Sequence, residues 1–390
     1  MAIDRRRALQ RLGASALGLA AVGCGREPAN SAPPTPAAAP RVGVASCRGS
    51  LIGMSRLEQA GKPTRYAVVR IDLHERPLKV RPIAIPFYGH GIAFDPDKPA
   101  RAIVFEKHGP GCCEVDLVRG RATRSVPTTA DRQFYGHGTF SRDGRLLYCT
   151  ETIVGDGSRR GVVAIRDARS LELIGTLPSH GLAPHDMVLT PDGDALVISN
   201  GGGTLESGEV PNIAVVALRD GALRERLPFG DPRVNAGHVA LLPDGGMVAV
   251  SAPRDGLDVH APSVHGDVSF WHPREPMTMH SVGGPEVVRM RAETLSVAVH
   301  AASGQVVATN PEGDQLSFWD IRDGRLRHVR HDIERPRGVA IDRTGRCLAV
   351  SHGRHPALTL FDPETHAALQ GGALADAWVS GSHLVVHDLS

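Results

Sequence analysis

A β-hairpin that recurs along the chain constrains its fold more than any other feature. The clearest copy is Tyr135 to Glu151, YGHGTFSRDGRLLYCTE. Thr139 to Ser141 and Arg145 to Thr150 read as short strands, and Asp143-Gly144 between them supplies the positive φ of a tight turn. An antiparallel hairpin returns to where it began, so His137 and Glu151 are expected near each other at its open end. The block His90-Gly91-Ile92-Ala93-Phe94 to Phe105 precedes this copy. His185 to Asn200, His238 to Ser251, Leu295 to Asn310 and Arg337 to His352 follow it. The hairpin glycines Gly144, Gly193, Gly245, Gly304 and Gly345 are 49, 52, 59 and 41 residues apart, the spacing of a repeat architecture.

Between hairpins lie two more strand-like runs, such as Gly161 to Ile165 with Leu171 to Leu177, or Leu316 to Ile321 with Arg325 to Val329. Four antiparallel strands per unit describe a β-propeller blade. The 44 glycines and 29 prolines suit many tight turns better than long helices. The fold class expected is therefore all-β: a seven-bladed propeller of four-stranded blades over residues 42–390, with six or eight blades as alternatives. The C-terminal run Ala377 to Gly381 with His383 to Val386 is expected as a seventh inner hairpin. Tyr66 to Leu73 and Val80 to Ile85 would complete that blade, so the N- and C-terminal strands close the ring and remove its open edges. The insertions Gly201 to Pro211 and Pro253 to Gly266 are expected as loops on one face.

Residues 1–24 stand apart as an export signal. Asp4-Arg5-Arg6-Arg7-Ala8-Leu9-Gln10 resembles a twin-arginine motif, and Ala21-Val22-Gly23-Cys24 resembles a lipobox whose Cys24 is lipidated; ordinary cleavage nearby is the alternative. Residues 25–41, with five prolines from Arg26 to Arg41, read as a tether. Removing the signal takes the formal charge of +2 to about −1, which leaves no basic footprint for nucleic acid. The expected location is the periplasm, with membrane contact only through the lipid anchor. Of the other five cysteines, Cys149 and Cys347 read as small core residues. An odd count in an oxidising compartment leaves at least one thiol unpaired. Vicinal Cys112-Cys113 can serve as a soft-metal pair or as plain strand residues.

Because each innermost strand begins, and the next ends, on the same face of the ring, residues of different blades converge at the channel mouth. His90, His137, His185, His238 and Arg337 stand at strand starts; Glu106 or His108, Glu151, Asn200, Asn310 and His352 stand at strand ends. Imidazoles gathered around one axis suit Fe, Cu or Zn, so His90, His137, His185, His238, His352 and Glu151 are the candidate metal ligands. Asn200, Asn310, Arg337 and His108 are candidate ligand-binding residues. Asp186 is placed to orient His185. Histidines that brace their own blades are the competing reading. No Gly-x-Ser-x-Gly, His-Glu-x-x-His or Cys-x-x-Cys-His motif is present, so no catalytic residue is assigned.

The blocks YGHGTFSRDGRLLYCTE and SHGLAPHDMVLTPDGDALVISNGG (Ser179 to Gly202) resemble a twin-arginine-exported family known as domain of unknown function 1513. More loosely, the chain is similar to YVTN-type and quinoprotein amine dehydrogenase-like propellers. The resemblance implies a periplasmic seven-bladed propeller whose genes sit near imelysin-type and di-haem proteins, which would be its partners. It also implies iron or copper handling. Lys107-His108-Gly109-Pro110-Gly111 departs from the Arg-Arg-Pro-Gly segment expected there. Two functions follow: a tethered binding protein in metal acquisition or partner scaffolding, or a metal-dependent enzyme. The enzyme would be a lactonase-type hydrolase or an oxidoreductase subunit, with Glu151, Asn200 and Asn310 holding a hard cation.

Overall fold

A computed structural model describes residues 47–259, 261, 264–282 and 287–389. The segment 1–24 expected as an export signal, with Cys24, and the segment 25–41 expected as a tether lie outside the described residues. The described chain is all-β, its helical pieces being the single turns Leu205–Ser207 and Val287–Arg289. Among the described residues, no helix is long and apolar enough to cross a membrane.

The strands form five four-stranded antiparallel sheets and one eight-stranded sheet. Four of the smaller sheets are meanders in chain order, beginning at Pro184–Leu189, Val239–Leu241, Ser296–His300 and Val339–Ile341. The eight-stranded sheet joins two further meanders, beginning at Gly89–Phe94 and Arg132–Phe140. The join is short: Lys107 opposes Tyr135 and Gly109 opposes Phe134. The first strand of each meander packs against the first strand of the next. His383, just before strand Leu384–His387, meets His90 with ring centroids 4.4 Å apart. The first strands thus close around an axis, which is a β-propeller arrangement.

Position within a meander explains composition. Second and third strands are covered on both faces by neighbouring sheets, so Ala195–Asn200, Asn212–Ala217, Gln305–Asn310 and Gln315–Asp320 are buried throughout. Fourth strands such as Arg121–Pro127 face solvent and are polar. The core lies in layers between sheets. In one of them Ile103, Phe105 and Cys112 pack against Phe134, Leu147 and Cys149, each such apolar side chain contributing roughly 1.5–3 kcal/mol on burial. Asp143-Gly144 turns the hairpin as expected, Gly144 at φ 66° with its amide donating to the Ser141 carbonyl.

The closing sheet differs from the sequence expectation. Its order is Leu384–His387, Ser50–Leu57, Arg65–Asp72, Val80–Ile85, so the C-terminus supplies one strand and the N-terminus three. Ala377 to Gly381 does not form a strand. Trp378 adopts a left-handed φ of 59°, and the amides of Ser380 and Gly381 both donate to the Met54 carbonyl. Ser50–Leu57 takes the place expected for it, burying Leu51, Ile52 and Met54. Cys347 is not a free core thiol: a disulfide joins it to Cys47, 300 residues away, and ties this sheet to its neighbour. Cys112, Cys113 and Cys149 are free and buried. Cys112 and Cys113 are consecutive on strand Gly111–Asp116 and enter different core layers, because successive strand residues face opposite ways. One ion cannot be shared between them.

Candidate functional site: a ring of five histidines

Five imidazoles meet at the axis. His90, His137, His185, His238 and His383 each offer a nitrogen, and these atoms all lie within 4.8 Å of one another. His90, His137 and His185 lie on the first strands Gly89–Phe94, Arg132–Phe140 and Pro184–Leu189, and His238 and His383 directly precede the first strands Val239–Leu241 and Leu384–His387, all five strands being adjacent around the axis. Close approach needs the glycines beside them. A Cβ on Gly136, at φ 113°, would stand 2.5 Å from the His90 ring, and one on Gly91 would stand 2.4 Å from the Gly136 carbonyl. Hydroxyls of the second strands hold the first strands in register. The Thr150 Oγ1 accepts from the His137 amide and can donate to the His137 and His185 carbonyls, while the Ser199 hydroxyl accepts from the Asp186 amide.

The ring nitrogens are oriented from behind. His137 Nδ1 lies 3.0 Å from Asp186 Oδ1, and His238 Nδ1 lies 2.6 Å from the Leu295 carbonyl oxygen. A carboxylate and a carbonyl only accept, so both imidazoles carry their proton on Nδ1 and present a lone pair at Nε2. Those two Nε2 atoms are buried and have no hydrogen-bond partner among the described residues. The His90 Nε2 lies 3.2 Å from His185 Nε2 and 3.1 Å from His383 Nε2. Lys107 Nζ lies 3.4 Å from His185 Nε2.

Burial holds His90, His185 and His383 well below the ordinary histidine range, and neighbouring cationic rings and Lys107 push the same way. Burial takes His238 down to about 4 despite the Asp186 charge. Burial raises the Asp186 carboxyl, but the charge and hydrogen bond of His137 outweigh it and leave the group below its usual value. His90, His185, His238 and His383 are therefore neutral donors near pH 7.

The other sequence-picked residues lie elsewhere. Glu151 is fully buried behind the ring, where Oε1 takes a 2.7 Å bond from Arg166 and a 3.0 Å bond from Thr128. It sits on a second strand opposite Phe134, not His137, because the register shifts between Phe134 and Gly138. His352 is bonded to the Thr359 hydroxyl at 2.8 Å. Asn200 donates to the Ser179 carbonyl, and Asn310 braces the loop before Ser296 through the Arg291 and Glu293 carbonyls. Arg337 donates to the Ser380 carbonyl. Asp186 orients His137 and accepts from the Val239 amide; it does not reach the ring of adjacent His185.

His108 lines a separate cavity of about 290 Å³ with Tyr135, Arg159, Leu182, Ser207 and Asp255. Tyr135 is the wall between cavity and ring, its centroid 4.7 Å from that of His108 and 6.0 Å from that of His185. Burial pushes the Tyr135 hydroxyl up to about 12, the Asp255 charge adding to it. The two insertions meet here as loops. Buried Arg254 donates to the carbonyls of Gly202 and Pro232 and to the Ser207 hydroxyl.

Sequence reasoning missed His383 and Lys107. His383 directly precedes a first strand, as His238 does, and that position was the available signal. Lys107 had no pattern to mark it.

Fold and site together define a histidine-centred β-propeller. Residues 83–381 match the model of the family described as "Protein of unknown function (DUF1513)", and the chain belongs to that family. No curated protein matches the chain. Among solved structures it is similar to the hydrazine synthase of Kuenenia stuttgartiensis, with a TM-score of 0.59 and 13% identity over 77% of this chain and 92% of that one. It is also similar to a chain in the crystal structure of the mitotic checkpoint complex, with a TM-score of 0.55 and 14% identity over 75% and 79%. Both likenesses concern the fold.

Proposed function

We propose that this protein binds one transition metal ion, Cu, Zn or Fe, through the Nε2 atoms of His90, His137, His185, His238 and His383. The observation that carries this reading is the pair of buried, unpartnered lone pairs on His137 and His238, locked toward the other imidazoles. Buried lone pairs left without a donor are costly, and a cation placed between them removes that cost. Metal–imidazole bonds of ~2.0–2.1 Å put opposite donors roughly 4 Å apart, which suits nitrogens gathered within 4.8 Å. Five nitrogens with no thiolate favour this group of metals over hard cations.

We read the eight-stranded sheet as two blades joined by their short Lys107–Gly109 contact, which makes the propeller seven-bladed. The twin-arginine-like and lipobox-like motifs support export and anchoring at Cys24, so the site would face the periplasm. There the protein would serve iron or copper acquisition beside an imelysin-type or di-haem partner. The hydrolase alternative finds no support in Glu151, Asn200 and Asn310, whose side chains are engaged away from the axis.

The test is metal content by mass spectrometry after exposure to each metal. Wild-type protein is expected to hold one ion per chain, and the His137→Ala/His185→Ala double variant almost none. Asp186→Asn, which keeps the size of the side chain but removes the carboxylate charge behind His137, is expected to bind roughly 10–100-fold more weakly. Wild type that stays metal-free, or a double variant that loads equally well, overturns the reading.

A further inference from the structure

Charge at the ring is unbalanced in a way that points to a second ligand. The five imidazoles bring no negative charge, and Asp186, behind His137, is the carboxylate that touches them. Lys107 stands on the other side, its Nζ 3.4 Å from His185 Nε2 and 6.0 Å from the centroid of the Tyr135 ring. No carboxylate lies within ion-pair distance of Lys107 among the described residues. Glu293 and Asp255 act on it only as more distant charges.

A metal dication bonded to His185 Nε2 would therefore stand beside an ammonium in a half-buried site. Like charges at such a separation repel strongly where water is scarce. Five nitrogen donors also leave one octahedral position open, and a small anion placed there would bond to the metal and accept a hydrogen bond from Lys107. That arrangement is charge-assisted on both sides.

We infer that the metal-loaded protein takes up a small monodentate anion, carboxylate-sized or smaller, held between the metal and Lys107. This inference rests on the metal reading above. It assigns Lys107 a role in anion capture rather than in holding the metal. The neighbouring cavity, walled off by Tyr135, is not required for it.

Azide titration of the copper(II)-loaded full chain tests this, with metal stoichiometry measured first and the copper–azide absorption band as readout. Wild type is expected to bind azide. Lys107→Met is expected to keep full copper occupancy and bind azide at least about tenfold more weakly, as loss of a charged hydrogen bond implies. Lys107→Arg is expected to recover part of that loss. Copper-loaded wild type that shows no azide band, as when the Lys107 nitrogen itself fills the open position, overturns the inference. So does a Lys107→Met variant that binds azide like wild type. Wild type that takes up no copper or any other metal removes the metal reading, and the inference with it.

Discussion

In metal-free protein the four depressed ring histidines cost roughly 4 kcal/mol of stability between pH 6.5 and pH 5.5, and saturating zinc abolishes most of that share. The sign follows from the depressed histidines. His90, His185 and His383 lie well below the ordinary value of 6.5 in the folded chain, and His238 lies at about 4. Below pH 6.5 the unfolded chain binds protons at these positions and the folded chain does not. Stability therefore falls as pH falls, until the folded pKa values are reached. Each histidine contributes roughly 1 kcal/mol over that first pH unit. Lys107 and Asp186 are the charged groups against the ring. Urea denaturation in EDTA at the two pH values checks the effect; a midpoint that does not move would mean that the rings already carry protons in the fold. Zinc holds the imidazoles neutral and so removes the advantage that acid gives the unfolded chain.

Glu151→Ala is expected to destabilise the protein by about 3–5 kcal/mol while leaving metal content unchanged. Arg166 is 2% exposed, and Glu151 is its 2.7 Å partner. The Arg166 guanidinium also donates to the Leu171 carbonyl and lies 5.1 Å from the centroid of the Phe134 ring, so deletion of the carboxylate leaves a buried cation without its anionic partner. Breaking a buried pair from one side costs several kcal/mol because the remaining charge has no compensation. Thermal unfolding together with metal analysis of the same preparation separates the two roles. Loss of metal from a Glu151→Ala protein that keeps its stability would make Glu151 a ligand.

Much of the fold was legible because the turn chemistry repeats. Gly144, Gly193, Gly245, Gly304 and Gly345 all adopt positive φ at the hairpin turns read from the sequence. Four of the five ring histidines were legible for the same reason, since the repeat places His90, His137, His185 and His238 at the starts of hairpins, although the strand holding His137 begins earlier, at Arg132. What failed was the step from hairpin ends to the axis. Neighbouring strands lie about 4.8 Å apart, so Glu151 and Asn200, on second strands, are one strand removed from the centre and turn between sheets instead. The bulge after Phe134 moved Glu151 further from His137. Asp186 illustrates the period-two rule: it cannot orient His185, its neighbour in sequence, but it reaches His137 on the preceding first strand. His383 was hidden by the closing sheet. Ala377 to Gly381 reads as half of a hairpin, whereas the apolar run Leu51 to Met54 supplies the partner strand.

The central claim is that five imidazoles close on one ion, and X-ray absorption on zinc- or copper-loaded protein tests it most directly. The predicted result is a first shell of nitrogen at ~2.0–2.1 Å with the outer-shell scattering of five imidazole rings, and no sulfur. A shell dominated by oxygen, or one showing a zinc–sulfur distance near ~2.3 Å from a cysteine, would contradict it.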